Sequence, residues 1–196
     1  GSGPASGIQI AGASGGITID RNNVSNIKST NTVGWGSNGI QLSSTLTAAN
    51  IKVHNNFVSD VASYGFATLA GENDNGYGIV VTAGGGYNIF HNTVNMTTSQ
   101  TVNGLPAAFN VTSGVVTAAS IDLRNNIFVN NQTVGTDRFA IYGGAANTVF
   151  SNINYNNYFT TGPNLGFIGS ARANLADIQA GFGGNLNSLS IAPVFV

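Results

Sequence analysis

The chain has 196 residues, of which 42% are hydrophobic, enough for one folded domain with a substantial core. Only 7% of its residues are charged, against roughly 25% in ordinary soluble domains, and its net charge is −1. This balance disfavours nucleic-acid binding, which needs clustered Lys and Arg side chains. The absence of cysteine excludes disulfide frameworks, thiolate metal sites and cysteine nucleophiles.

The N-terminal segment, residues 1–7, has the sequence GSGPASG, which is typical of a linker or a cloning remnant. We therefore leave it outside the fold prediction. No apolar run of the chain approaches the roughly 18 residues that a membrane span needs, so no span is predicted. A composition rich in Ser, Thr, Asn and Gly, with few charges, favours an extracellular or cell-surface location.

A repeated unit occurs five times within residues 8–164. Its clearest phrase is an apolar residue, any two residues, an asparagine, any one residue and an apolar residue, as in ITIDRNNV from position 17. The asparagines that this phrase aligns are Asn22, Asn56, Asn92, Asn126 and Asn152. A short alternating strand, such as GIQI or GIVV, precedes each copy. Each unit therefore predicts two strands, an asparagine corner and a brief third strand.

Strands that recur at this period without an intervening helix favour a parallel solenoid, in which equivalent strands stack about 4.8 Å apart. The asparagines would then superimpose at one corner, where Asn tolerates a left-handed backbone and can hydrogen-bond through its amide. We predict an all-β fold of about five coils held by an asparagine ladder. The alternative is that the asparagine pairs are ordinary turn residues.

Residues 165–196 are predicted to form a cap of loop and short helix at the C-terminal end of the solenoid. Asn174 can cap this helix, with Asp177 at its third position and Gly181 as its stop. The apolar side of the helix would consist of Leu175, Ile178 and Phe182.

The phrases of the form [I/V/L]-x-x-N-x-[V/F] resemble the right-handed parallel β-helix repeats of the pectate-lyase-like superfamily, over about residues 8–160. The tail NLADIQAGFGGNLNSLSIAPVF resembles the segment that closes many secreted bacterial β-helix proteins. The resemblance implies a right-handed parallel β-helix. It implies no single activity, because the superfamily includes lyases, hydrolases, epimerases, adhesins and non-catalytic binders.

The same resemblance directs the search for a catalytic site. Lyase members use calcium-binding carboxylates with a Lys or Arg base, and hydrolase members use close aspartates. Here the register places Asp20 beside His54 on adjacent coils, with Arg124 two coils further on, and an Asp–His pair can support general-base catalysis. The alternative is a solvated ion pair at a corner. Because no aspartate has a second aspartate at a neighbouring coil position, the sequence leans towards a protein that is not an enzyme.

Glu72 and Asp74, in the phrase GENDNGYG, form the one acidic cluster of the sequence. Their carboxylates and the carbonyl oxygens of a Gly-rich loop can hold Ca²⁺, although the spacing does not match an EF-hand. The alternative is an ordinary polar loop, and no cofactor is required by the sequence.

Four aromatic residues are candidates for contacts with carbohydrate: Trp35, Tyr64, Tyr77 and Tyr142. Trp35 lies in a long loop, and Tyr64 and Tyr77 flank the next one, so the stacked loops can build a platform for a pyranose ring. The outward positions of the first strand, which include Gln41, can add amide hydrogen bonds. The alternative is that Trp35 packs its loop onto the barrel.

The leading functional prediction is a non-catalytic extracellular β-helix module that contacts polysaccharide or forms a structural part of a larger surface or secreted protein. One alternative is a polysaccharide lyase or a related carbohydrate-active enzyme. Another is an adhesive or structural solenoid that associates end to end. Neighbouring domains are a further class of predicted partner.

Overall fold

The computed structural model describes residues 3–65 and 74–195. These residues form a parallel β-solenoid of about four turns, with one short α-helix near the C-terminus. The all-β solenoid prediction is therefore confirmed, with a slightly smaller number of coils.

The longest face of the solenoid is a seven-stranded sheet, which we call sheet A. Its strands, in spatial order, are β1 (Ala5–Gly12), β5 (Ser37–Ser44), β9 (Gly76–Ala83), β12 (Ala107–Val111), β15 (Phe139–Gly143), β18 (Gly166–Ile168) and β19 (Ser170–Arg172). All neighbours pair in parallel except β18 and β19, which are antiparallel.

Two further sheets run along the whole solenoid, and a short two-stranded sheet adds to its first two coils. Sheet B consists of β2 (Thr18–Asp20), β6 (Ile51–His54), β10 (Tyr87–Phe90), β13 (Ile121–Arg124) and β16 (Phe150–Asn154). Sheet C consists of β3 (Asn23–Val24), β7 (Phe57–Ser59), β11 (Thr93–Met96), β14 (Ile127–Asn130) and β17 (Asn157–Thr160). The short sheet D pairs β4 (Ile27–Lys28) with β8 (Val61–Ala62).

The hydrophobic core runs along the solenoid axis as stacks of equivalent residues. Ile40 pairs with Ile79, Ile79 with Phe109, and Phe109 with Ile141. All four are fully buried. Because side chains alternate between the two faces of a strand, the residues between these positions point outward from sheet A. Successive coils therefore build both a continuous apolar core and a continuous outer face.

The first strand begins earlier than the sequence predicts. Ala5 already pairs with Ser37, so Ala5–Gly7 belong to the fold, and the prediction that residues 1–7 lie outside it is wrong there. Gly7 is required by close packing, since a Cβ atom at this position would lie 2.5 Å from Val24 Cγ1 and 2.8 Å from the Gly39 carbonyl oxygen. A glycine-rich phrase resembles a linker, but here it allows two coils to approach closely.

The C-terminal helix α1 spans Leu175–Phe182, and the Asn174 side chain accepts a hydrogen bond from the Asp177 backbone N–H, as predicted. Ile178 and Phe182 are buried against the core. The predicted stop at Gly181 is wrong, because the helix ends at Gly183, which has a φ of 72°. This left-handed conformation is the one that glycine adopts without strain.

The chain after α1 covers the edge of sheet C. The Tyr158 backbone N–H donates to the Leu189 carbonyl at 3.0 Å, and the Leu189 N–H donates to Asn156 at 2.8 Å. The Ile191 N–H donates to Asn157 Oδ1 at 2.9 Å. β18, which the prediction assigned to the cap, continues sheet A by pairing with β15. The cap thus combines a last strand, a helix and an extended tail.

Candidate functional site

One corner of the solenoid carries a continuous column of asparagine side chains, the asparagine ladder. The Nδ2 atom of each member donates to Oδ1 of the next at 2.9–3.0 Å, and the backbone N–H of each donates to that same oxygen. The members of the ladder are Asn22, Asn56, Asn92, Asn126 and Asn156. Ser188 extends the column, since its Oγ accepts from the Asn156 N–H at 3.0 Å.

The predicted fifth position of the ladder, Asn152, is wrong. Asn152 is exposed on sheet B and pairs in register with Asp122. Asn156 occupies the ladder because Ile153 lies three residues before it and Tyr158 two residues after it, both buried. The repeated phrase therefore occurs four residues later than the prediction placed it. The sequence carries a signal of this shift, since Asn154, two residues after Asn152, breaks the rule that this position is apolar.

The residue before each ladder position has a left-handed backbone conformation, with φ between 55° and 57°. These residues are Arg21, Asn55, His91, Asn125 and Tyr155. At two of the five corners, Asn55–Asn56 and Asn125–Asn126, the first asparagine makes the turn and the second joins the ladder. The pairs recur because one corner needs both properties of asparagine.

The structure brings the catalytic candidates Asp20 and His54 together on sheet B. His54 Nδ1 lies 3.0 Å from Asp20 Oδ1, and Asn55 Nδ2 contacts both side chains, at 3.0 Å from Asp20 Oδ1 and 2.9 Å from His54 Nδ1. Arg21 Nη1 lies 3.4 Å from the other carboxylate oxygen. The His54 ring stacks on Phe90 at 5.0 Å. The imidazole is thus held by neighbours on several sides at an exposed corner.

Arg124 does not join this pair. In the register of sheet B, Phe90 lies between His54 and Arg124. The guanidinium forms a two-pronged contact with Asp122, in which Nε and Nη2 each lie 2.6 Å from a carboxylate oxygen. The hydrogen bonds and charge of Asp122 raise the pKa of Arg124. A raised pKa is the opposite of what proton abstraction by an arginine needs.

The predicted calcium site falls partly outside the described residues, because Glu72 lies within residues 66–73. Burial raises the pKa of Asp74 above its ordinary value, and the Asp74 backbone carbonyl accepts a hydrogen bond from Ser63 Oγ at 3.2 Å. Across residues 3–65 and 74–195, no three His, Asp or Glu side chains come together in an arrangement that could hold a metal ion.

The outer face of sheet A carries a cleft of about 220 Å³ near the N-terminal end, which we call the sheet A cleft. Its lining combines aromatic, amide and small polar or apolar residues: Pro4, Trp35, Asn38, Gln41, Tyr77, Val80 and Thr82. Trp35 is 37% exposed, whereas Tyr77 is buried. The register explains this set, since Asn38 pairs with Tyr77 and Gln41 with Val80 on adjacent strands.

Hydrogen bonds fix the amides of the cleft. Gln41 Oε1 accepts from Ser6 Oγ at 2.9 Å and from Asn38 Nδ2 at 3.1 Å. This arrangement orients both amides and leaves Gln41 Nε2 as a donor and Asn38 Oδ1 as an acceptor for a ligand. An aromatic surface beside a preoriented donor and acceptor is the kind of lining that binds small polar molecules.

Of the four aromatic candidates, the structure brings Trp35 and Tyr77 together in the cleft. Tyr142 lies further along sheet A and does not line the cleft; it stacks on Phe167 at 4.8 Å, in a second apolar cluster that also contains Tyr77. Tyr64 is half-buried and does not line the cleft, and its backbone carbonyl accepts a hydrogen bond from Val102. Sequence reasoning missed Pro4, which lay in the supposed linker.

None of the helices in the described ranges has the length and apolar character needed to cross a membrane. Comparison with known protein families, with curated proteins and with solved structures finds no match for this chain.

Proposed function

We propose that this protein is a non-catalytic, extracellular solenoid module that binds carbohydrate in the sheet A cleft. The observation that carries the proposal is the exposed indole of Trp35 beside the fixed amides of Asn38 and Gln41. An aromatic ring packs against the C–H face of a sugar while oriented amides hydrogen-bond its hydroxyl groups. The rigid sheet beneath positions these groups before any ligand binds, which lowers the entropic cost of binding.

The residues of the catalytic alternative support a structural corner better than an active site. Asp20 and His54 lie on sheet B, whereas the cleft lies on sheet A. Arg124 is committed to Asp122. A polysaccharide lyase remains the alternative function, and it predicts unsaturated products from uronic-acid polymers.

The fold and the repeated phrases support two further parts of the proposal. We propose that the chain is one of the secreted, pectate-lyase-like β-helix proteins, a proposal supported by the parallel solenoid and by its repeated ladder phrases. Polysaccharide is the partner that best fits such a module on a cell surface. These assignments concern the type of protein and its location rather than its chemistry.

End-to-end association remains a second candidate function. β1 is the edge strand of sheet A, and Ile8, Ile10 and Ile27 of the first coil are only partly buried. Exposed strand edges are templates for pairing with another chain. Sedimentation velocity over a range of concentrations tests this candidate, which predicts growth in size on concentration and fails if the size stays constant.

A glycan array probed with and without added calcium tests the main proposal. We expect selective retention of a small set of glycans, which persists in the presence of a chelator because the described cleft contains no carboxylate. A parallel incubation with polygalacturonate or alginate monitors the release of unsaturated products. Absence of binding to every glycan, or clear turnover of a uronate polymer, would overturn the proposal.

A further inference from the structure

We infer that the sheet A cleft recognises a neutral pyranose rather than a uronic acid. This inference rests on the proposed carbohydrate site and specifies the chemical class of its ligand. It differs from the uronic-acid polymers on which the lyase alternative would act. Three features of the molecule carry it: the location of its cations, the polarity of the cleft amides and the size of the cleft.

The lysine and arginine side chains of the protein lie outside the described lining of the sheet A cleft. The sequence contains six Lys and Arg residues, and all six lie in the described ranges. Three of them form ion pairs with aspartates, in the pairs Arg21–Asp20, Lys28–Asp60 and Arg124–Asp122.

The remaining three cations also lie away from the cleft. Arg138 donates to the backbone carbonyls of Gly135 and Thr161, and Arg172 donates to that of Ile168. Lys52 is exposed on sheet B. The described cleft lining therefore contains no Lys or Arg. A buried or half-buried sugar carboxylate needs such a partner, because desolvation of an unpaired charge is costly.

The amides of the cleft suit hydroxyl groups. Because Gln41 Oε1 already accepts from Ser6 and Asn38, the cleft offers Gln41 Nε2 as a donor and Asn38 Oδ1 as an acceptor. A sugar hydroxyl both donates and accepts, so neighbouring hydroxyls can satisfy the two atoms together. An ionised carboxylate only accepts, and its charge would repel the Asn38 oxygen.

The dimensions of the cleft limit how much ligand it holds. Its volume of about 220 Å³ is below the roughly 300–1,000 Å³ of pockets for drug-sized ligands. The cleft thus accommodates a single sugar ring. Trp35 and Pro4 supply apolar surface for the C–H face of that ring. The remainder of a polymer would lie across the outer face of sheet A.

Affinity electrophoresis tests this inference with two sets of soluble polymers. The neutral set is arabinoxylan, galactomannan, xyloglucan and mixed-linkage β-glucan, and the acidic set is polygalacturonate and alginate. The site variants are Trp35→Ala and Gln41→Leu. Tyr155→Ala is the matched control, because Tyr155 is an exposed aromatic residue, 54% accessible, at a corner outside the cleft. Thermal unfolding verifies that each variant is folded.

We expect at least one neutral polymer to retard the wild-type protein and the Tyr155→Ala variant equally. Trp35→Ala should weaken this interaction about tenfold or more, and Gln41→Leu should weaken it in the same direction. Preference for an acidic polymer that depends on Trp35 would overturn the neutral-sugar inference and leave the carbohydrate site intact. If a neutral polymer binds both site variants as strongly as the wild-type protein, the ligand lies outside the sheet A cleft and the inference is wrong. Absence of binding to either set would overturn the proposed function as well.

Discussion

Asn92 Oδ1 accepts two hydrogen bonds from Asn56, one from the backbone N–H at 3.1 Å and one from Nδ2 at 2.9 Å. The Asn92 side chain in turn donates to Asn126 Oδ1 at 3.0 Å and to the Val53 carbonyl at 2.8 Å. One amide thus satisfies buried groups on three successive coils. The ladder converts a costly buried polar residue into a connection between turns of the solenoid.

Replacement of Asn92 by alanine should destabilise the protein strongly. The change leaves the buried Asn56 N–H without its acceptor and removes the donor to Asn126, and we expect a loss of about 2–3 kcal/mol in the free energy of unfolding. Asn88→Ala is the matched control, because Asn88 lies on the outer face of sheet B in the same coil, and it should stay within about 0.5 kcal/mol of wild type. Urea unfolding measures both. Equal effects of the two changes would show that the ladder does not stabilise the corner.

A second pair of variants tests which residue completes the ladder. Asn156 accepts from the Asn126 N–H and Nδ2, and its own Nδ2 donates to the Leu123 carbonyl, whereas Asn152 is exposed. We expect Asn156→Ala to cost about 1–3 kcal/mol and Asn152→Ala less than about 0.5 kcal/mol. If Asn152→Ala lowered the melting temperature more than Asn156→Ala, Asn152 would be the ladder residue, as the sequence analysis predicts.

The ladder shows how far a single sequence carries the fold. Its first four positions follow from a phrase with apolar residues at fixed spacing, because the solenoid core imposes that spacing on every coil. The last copy contains asparagines at positions 152, 154, 156 and 157, and only Asn156 has apolar residues at both fixed spacings, Ile153 and Tyr158. Both of these side chains are buried in the core. The prediction aligned the last copy on Val149 instead, and so placed the ladder residue at Asn152.

The ion pair between Lys28 and Asp60 should make stability depend on acid pH. Burial raises the pKa of Asp60, but hydrogen bonds from Thr98 and Lys28 and the charge of Lys28 outweigh it, so the pKa lies below 3.8. Because the folded pKa is lower than the unfolded one, the carboxylate stabilises the fold above about pH 3.8 and loses this effect as pH falls through the folded pKa.

Asp60→Asn is the corresponding variant, since asparagine also tolerates the φ of 53° at this position. We expect a lower free energy of unfolding than wild type at neutral pH, by less than about 1 kcal/mol, and convergence of the two stability curves below about pH 3. Asp137→Asn, which removes a carboxylate without an ion pair in the described ranges, is the control. A difference that stays constant from pH 7 to pH 2.5 would contradict the assignment.

Asn110 presents the opposite case to the ladder. Its side chain is buried on β12, and neither Nδ2 nor Oδ1 has a hydrogen-bond partner within residues 3–65 and 74–195. An unsatisfied buried amide costs free energy, and Val is a better strand former than Asn. We therefore expect Asn110→Val to raise the free energy of unfolding by about 1 kcal/mol. A clear loss of stability in thermal unfolding would show that the amide has a partner.

Less of the candidate site than of the fold could be predicted from the sequence. The register correctly placed Asp20 beside His54, and the aromatic pattern brought Trp35 and Tyr77 to one loop region. Tyr142 was predicted as the one aromatic residue of the outward column of the first strand, and the register places it there, opposite Asn110. Its stacking on Phe167 depends on the packing of a later coil. The donor and acceptor of the cleft depend on hydrogen bonds between coils, which sequence spacing does not specify.

The most direct test of the carbohydrate site uses the fluorescence of Trp35, the one tryptophan of the chain. Its indole is 37% exposed in the cleft, so its emission reports occupation of that cleft without a label. Titration with neutral oligosaccharides should shift the emission to shorter wavelength and protect the indole from acrylamide quenching, whereas oligogalacturonate should leave both unchanged. An emission that stays constant while a neutral glycan binds the protein would contradict this account.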